Sequence, residues 1–186
     1  PPQNRKIGSV GQILMNQDVY IQAADGQRIY EAGKNGEICI DGDSLMLGYV
    51  GVNKSGMLEP QVGPLHTGDI GYLDEDGFLY ITGRIKDVII RGGENISPSQ
   101  IEHVISMHPD IANCCVIGKP DEDLGEVPVA FITSRNGKDI DITEVQDLLK
   151  KNLSRIYLPE SIVMVEALPE NSVGKVDRKI LAQQFI

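Results

Sequence analysis

"LHTGDIGYLDEDGFLYITGRIKDVIIRGGENISPSQIE", residues 65–102, changes its pattern partway along. In its first half the run "GFLYIT" (77–82) is aromatic and β-branched and follows the Asp-Gly reversal "DEDG", which reads as a strand entered from a tight turn. In its last residues the rule is helical. Ser97 stands at an N-cap position, Pro98 at the first helical position, and Gln100 completes a capping box, with Ile101, Val104 and Ile105 on one face.

The same change of pattern divides the rest of the chain. Upstream, "DVYIQ" (18–22) and "GEICI" (36–40) are further short strands, separated by reversals such as "ADGQ", with no helical periodicity. This portion has few apolar faces with which to close a core. Downstream, "IANCCVIG" (111–118) and "VPVAFIT" (127–133) read as buried strands. An Asn136-Gly137 turn follows, then a helix on which Val145, Leu148, Leu149 and Leu153 repeat at three and four, then the strand "SIVMVEAL" (161–168) and a short terminal helix. The expected fold class is α+β: a small, β-barrel-like antiparallel subdomain, followed by a compact α+β domain with a mixed sheet and two to three helices.

Composition narrows the function. Of 186 residues, 41% are hydrophobic and 24% charged, an ordinary globular balance. Seventeen Lys and Arg against 27 Asp and Glu leave a net charge of -10, so the surface field repels nucleic acid and anionic membranes. Cys39, Cys114 and Cys115 are odd in number and lack the paired spacing of a disulfide framework or zinc knuckle, so they read as core residues of a reducing compartment. His66, His103 and His108 have no ligand spacing with Cys or Asp, and no metal site is expected; each reads as a surface or helix-end residue. No apolar stretch approaches the roughly 20 residues of a membrane span, and residues 1–10 carry no signal-peptide core, so a cytoplasmic location is expected.

Against the acidic background the cations stand out. Arg84, Lys86 and Arg91 cluster at the junction of the two regions, and Lys175, Arg178 and Lys179 cluster near the end, so anions could be met at either place. Gly92 and Gly93 beside the first cluster, and Gly174 beside Lys175, permit close backbone approach or positive φ. A lysine on such a loop is a compact charge suited to a phosphate oxygen. No Gly-Lys pair is followed by Ser or Thr, no dinucleotide fingerprint is present, and there is no G-x-S-x-G elbow. A nucleotide would have to be held in another way.

Three stretches, "GEICIDGDSLMLGY" (36–49), residues 65–102 and "LPENSVGKVDRKIL" (168–181), resemble in order and spacing the last motifs of the adenylate-forming enzymes, which comprise acyl-CoA synthetases, adenylation domains of peptide synthetases and luciferases. The resemblance covers nearly the whole chain and is strongest to acyl-CoA synthetases, through the lysine of "GRIKD" and the following "GGENI". It implies residues 1–83 as the terminal β-rich part of a large N-terminal domain, 84–86 as a hinge, and 87–186 as a mobile C-terminal domain. It implies an AMP-forming acid–thiol ligase, as in fatty acid metabolism, that uses ATP, Mg2+ and CoA to turn a carboxylic acid into an acyl-adenylate and then a thioester.

By that resemblance Asp69 accepts hydrogen bonds from the ribose hydroxyls, since two carboxylate oxygens match a vicinal diol, and Arg84 lies near ribose and phosphate. Lys86 is the hinge, Gly92, Gly93, Glu94 and Asn95 line the thiol tunnel, and Lys175 is catalytic, bridging carboxylate and α-phosphate during adenylation only. The family's phosphate-gripping loop, Mg2+ ligands and acid pocket are expected before residue 1, in an N-terminal region that is a required partner, so the 186-residue chain alone is expected to be inactive. Two alternatives stay open: an adenylation domain that loads a carrier protein, and a non-catalytic binding module.

Overall fold

The computed structural model describes residues 5–50, 58–135 and 137–185, so Asn136 of the expected Asn-Gly turn lies outside them. The chain divides into two compact units, Pro1–Lys86 and Asp87–Ile186.

The first unit carries β1 (Gly11–Gln12), β2 (Asp18–Gln22), β3 (Arg28–Ile29), β4 (Gly36–Asp41), β5 (Gly48–Val50), β6 (Leu58–Pro60), β7 (Leu65–Leu73) and β8 (Phe78–Arg84). Six of these form an antiparallel sheet in the order β1-β8-β7-β4-β2-β3, and β5 pairs with β6 separately. Among the described residues the sheet is open rather than a closed barrel, with β1 and β3 at its edges. Both edge strands are only two residues long, which leaves little unpaired backbone. Its buried apolar side chains among the described residues are Tyr20, Ile21, Ile38, Cys39 and Phe78, a small core for a sheet of this size.

The β7–β8 hairpin shows why "DEDG" turns. Asp74 Oδ1 accepts the amides of Asp76 (3.0 Å) and Phe78 (2.9 Å), and Gly77 supplies the positive φ of 75°. Asp74 Oδ2 takes the Lys6 ammonium at 2.6 Å, and this bond, helped by the two amides, lowers the Asp74 carboxyl pKa.

The second unit carries β9 (Ile89–Arg91), β10 (Glu94–Ile96), α1 (Pro98–Ile105), β11 (Ile111–Asp121), β12 (Gly125–Ser134), α2 (Ile142–Asn152), β13 (Ser161–Met164) and α3 (Arg178–Phe185). The sheet runs β10-β9-β12-β11, with β13 added parallel to β12, so it is mixed as the composition of strands and helices implied. Central strand β12 explains the unbroken apolar run "VPVAFIT". Ala130 and Ile132 pack with Ile101, Ile105, Val145 and Leu149 of α1 and α2, while Val129 and Phe131 pack with Leu181 of α3. Alternate residues thus enter two different cores, and neither face reaches water.

Ser97 and Pro98 do begin α1, yet the expected capping box is not what holds it. The Ser97 hydroxyl caps no helix amide and meets Ser99 Oγ at 2.8 Å. For α2 the cap is Asp141, whose side chain accepts the Thr143 amide at 2.8 Å. No helix among the described residues is long and apolar enough to cross a membrane.

Candidate active site

The "TGD" of residues 67–69 is a bulge. Glu37 pairs with Ile70 and Cys39 with His66, so a single β4 residue, Ile38, stands against three on β7. Thr67 Oγ1 donates to the Ile38 carbonyl (2.7 Å) and accepts the Asp69 amide (3.1 Å), and the Gly68 amide donates to Glu37 Oε1 (3.1 Å). Gly68 sits at φ 72°, where an added Cβ would find open space; only the left-handed backbone asks for glycine here. Gly71, three residues on, is required for the opposite reason, because a Cβ there would run into the Tyr80 carbonyl oxygen and Ile38 Cδ1.

The bulge re-aims Asp69 at the end of the hairpin, where Arg84 is its cross-strand partner. Arg84 Nε lies 3.0 Å from Asp69 Oδ1, and the two side chains are 51% and 27% exposed. These two sequence-derived candidates are therefore brought together. Lys86 follows in a single 3-10 turn, Ile85–Asp87, with residues 84–86 exposed, and the boundary between the two units falls directly after it.

"RGGEN" forms the tight β9–β10 hairpin. Gly92 (φ 58°) and Gly93 (φ 86°) are its two central residues, both with the positive φ that a two-residue connection of this twist needs. The Gly92 amide donates to the Leu124 carbonyl at 2.7 Å, and Glu94 and Asn95 are exposed beside it.

Lys175 is exposed, and among the described residues its ammonium has no ion pair or hydrogen bond. Its backbone is another matter. Asn171 Oδ1 accepts the amides of both Val173 and Lys175 at 3.0 Å, the Asn171 amide donates to the Lys175 carbonyl (2.8 Å), and Gly174 turns at φ 73°. An isolated bridge, Glu170 to Val176, closes the loop below. The lysine is thus a free side chain on a pinned turn, so its glycine serves geometry rather than looseness.

Two members of the basic clusters are not available to an anion. Arg91 Nη1 donates to the carbonyls of Ile156 (2.8 Å) and Leu158 (3.0 Å). Arg178 donates to the Val116 carbonyl and to Glu102 Oε1 (2.8 Å), with Asp87 Oδ2 at 3.5 Å, while Glu102 Oε1 also accepts the Val116 amide at 2.7 Å. Burial opposes the Arg178 charge, but Glu102 above all, with Cys115 and Asp87 after it, outweighs burial and raises its pKa. Sequence spacing could not distinguish these structural cations from Lys175, because their partners are 62 to 91 residues away.

Burial pushes the thiols of Cys114 and Cys115 up to about 12 and about 11, and all three cysteines are free. His108 is buried rather than superficial, because it closes the end of α1 with its Nδ1 on the Asp110 amide (3.3 Å) and its Nε2 near Glu144 (3.4 Å). His66 is on the surface, but the β4–β7 register places its Nδ1 2.9 Å from Glu37 Oε2 and 3.6 Å from Cys39 Sγ, a grouping that linear spacing conceals.

Comparison with known proteins shows what the chain is similar to. Residues 100–175 match the family model described as AMP-binding enzyme C-terminal domain, and residues 1–50 match that of the AMP-binding enzyme. The chain is 41% identical over 186 residues to a 2-succinylbenzoate–CoA ligase of Listeria monocytogenes, covering 99% of this chain and 37% of the relative. It is 38% identical over 181 residues to the probable CoA ligase CCL9 of Humulus lupulus, covering 97% and 34%. Among solved structures, the o-succinylbenzoate CoA synthetase MenE of Bacillus subtilis, in complex with the acyl-adenylate intermediate OSB-AMP, superimposes with a TM-score of 0.83 at 36% identity, over 95% of this chain and 36% of that one. The chain belongs to the adenylate-forming superfamily and corresponds to its C-terminal portion. It spans about a third of the length of the relatives it matches.

Proposed function

We propose that this chain is the part of an AMP-forming acid–CoA ligase that grips the ribose of ATP and delivers the adenylation lysine. The observation that carries this reading is the Thr67-Gly68-Asp69 bulge, which sets a partly exposed carboxylate opposite Arg84 at the end of the β7–β8 hairpin. Asp69 offers two oxygens to the two ribose hydroxyls, and Arg84 orients the carboxylate and stands ready for phosphate. Lys175 neutralises charge on the reacting carboxylate and α-phosphate oxygens, with Mg2+ accompanying the ATP.

The acid attacks the α-phosphorus, pyrophosphate leaves, and an acyl-adenylate remains. CoA thiolate then attacks the acyl carbon and AMP departs. In this reading residues 1–83 belong to the nucleotide-binding domain, Lys86 is the pivot, and residues 87–186 swing so that Lys175 serves the first half-reaction and the Gly92–Asn95 hairpin the second. The exposure of residues 84–86 and the pinned backbone around Lys175 support motion of a whole unit rather than of a loop. CoA is favoured as acceptor by the lysine in "GRIKD" and by relatives named as CoA ligases. Three free cysteines support a reducing, cytoplasmic setting.

The test uses the full-length protein. Lys175→Ala loses acid-dependent ATP/pyrophosphate exchange yet still forms thioester from supplied acyl-adenylate and CoA. A variant that adenylates normally removes Lys175 from the mechanism.

A further inference from the structure

The geometry points to a second, unrelated capability: Glu37, Cys39 and His66 form a binding site for a zinc-class divalent cation on the β4–β7 ladder. One donor atom from each of the three, a carboxylate oxygen, the thiol sulfur and an imidazole nitrogen, lies within 4.8 Å of the other two. His66 Nδ1 is 3.6 Å from the sulfur and 2.9 Å from the carboxylate oxygen. With Zn–S near 2.3 Å and Zn–N or Zn–O near 2.0–2.2 Å, neighbouring ligand atoms of a tetrahedral ion stand about 3.2–3.6 Å apart. The cluster therefore needs only small side-chain adjustments to enclose one ion.

The donor set selects the metal. A thiolate and an imidazole suit zinc, cobalt or cadmium, whereas magnesium and calcium ask for oxygen ligands. The supporting contacts are already built. Glu37 Oε1 is held by the Gly68 amide at 3.1 Å, leaving Oε2 to His66, and Gln22 Oε1 lies 3.5 Å from the Cys39 sulfur. Cys39 is fully buried while the His66 side chain is 54% exposed, so the ion would have a protected sulfur on one side and room for a water as fourth ligand on the other. Burial, then the Glu37 charge, raise the Cys39 thiol pKa, and a bound cation reverses that balance. On binding, the thiol proton leaves to solvent and the imidazole takes the tautomer protonated at Nε2, which frees Nδ1 to coordinate.

This inference does not depend on the ligase assignment. It is tested on the full chain by titrating Co2+ and following thiolate-to-cobalt charge-transfer absorption, then displacing the cobalt with Zn2+. One cobalt per chain with that absorption is expected, released stoichiometrically by zinc. Cys39→Ser abolishes the band, and His66→Ala, at an exposed position where folding is unaffected, weakens binding at least about tenfold. Glu37→Gln weakens it similarly. No charge-transfer band from the folded protein overturns the site, as does a band that survives Cys39→Ser or an affinity unchanged in His66→Ala. If Cys39→Ser fails to fold, the His66→Ala result decides.

Discussion

Arg84 Nε meets Asp69 Oδ1 at 3.0 Å across the last rung of the β7–β8 ladder. Half of the arginine side chain is exposed, so the pair contributes at most about 1 kcal/mol to stability, as surface pairs do. Its value is orientation of the carboxylate. Asp69→Asn is expected to leave the thermal midpoint of the chain nearly unchanged. In the full-length enzyme it lowers kcat/KM for ATP roughly 10- to 100-fold, the loss of one charge-assisted hydrogen bond. Thermal melts and exchange kinetics on the same variant separate the two effects.

Gly68 and Gly71 sit in one strand but tolerate alanine differently. Gly68→Ala forces a side chain into left-handed backbone with open space around it, and costs about 1–2 kcal/mol. Gly71→Ala drives a Cβ against the Tyr80 carbonyl and to within 2.8 Å of Ile38 Cδ1, so about 2–4 kcal/mol is expected and the β7–β8 pairing opens. Urea unfolding of the two variants ranks them; equal destabilisation contradicts the close-approach argument.

Asn171 holds the turn that presents Lys175, through two amides at 3.0 Å. Asn171→Ala keeps the lysine and loosens its carrier. Adenylation in the full-length enzyme is expected to fall about 10- to 100-fold, as misplacement by an ångström does, while thioester formation from supplied acyl-adenylate is unchanged. The split between the two half-reactions is the measurement.

Arg178 joins α3 to Glu102 of α1, the Val116 carbonyl of β11 and Asp87. Arg178→Ala leaves two carboxylates unpaired. About 2–3 kcal/mol of destabilisation of the second unit is expected, below the figure for a fully buried pair because 31% of the side chain reaches water. Arg178→Lys recovers only part of this, since one ammonium cannot serve Glu102 and Val116 with a planar fork. Circular dichroism melts of the two variants check the order.

The Lys6–Asp74 pair makes the first unit sensitive to acid. The folded Asp74 pKa lies below its unfolded value, chiefly through the hydrogen bond from Lys6, so its contribution is complete above the unfolded carboxylate range and disappears as pH falls through the folded pKa. Asp74→Asn should therefore lower the melting temperature at pH 7 and have progressively less effect as the solution is acidified toward pH 3. A difference that persists undiminished at the acid end refutes the linkage.

Local pattern announced most elements: the Asp-Gly reversals, the helix beginning at Pro98, the apolar run of β12 and the glycine hairpin at Gly92-Gly93 are all decided within a few residues of chain, by turn chemistry and hydrophobic period. Asp69, Arg84 and Lys175 were legible as candidates because long ordered motifs carry them. Register and the burial of charged side chains were not legible, since both depend on partners far along the chain. Strand pairing set Arg84 against Asp69 and His66 against Cys39, and packing turned Arg91 and Arg178 inward, while Lys175 stayed on the surface. Cations that look alike in one dimension differ only once desolvation and distant carboxylates or carbonyls act on them. Type and order of elements were therefore written locally, and the roles of the charged side chains were assigned by folding.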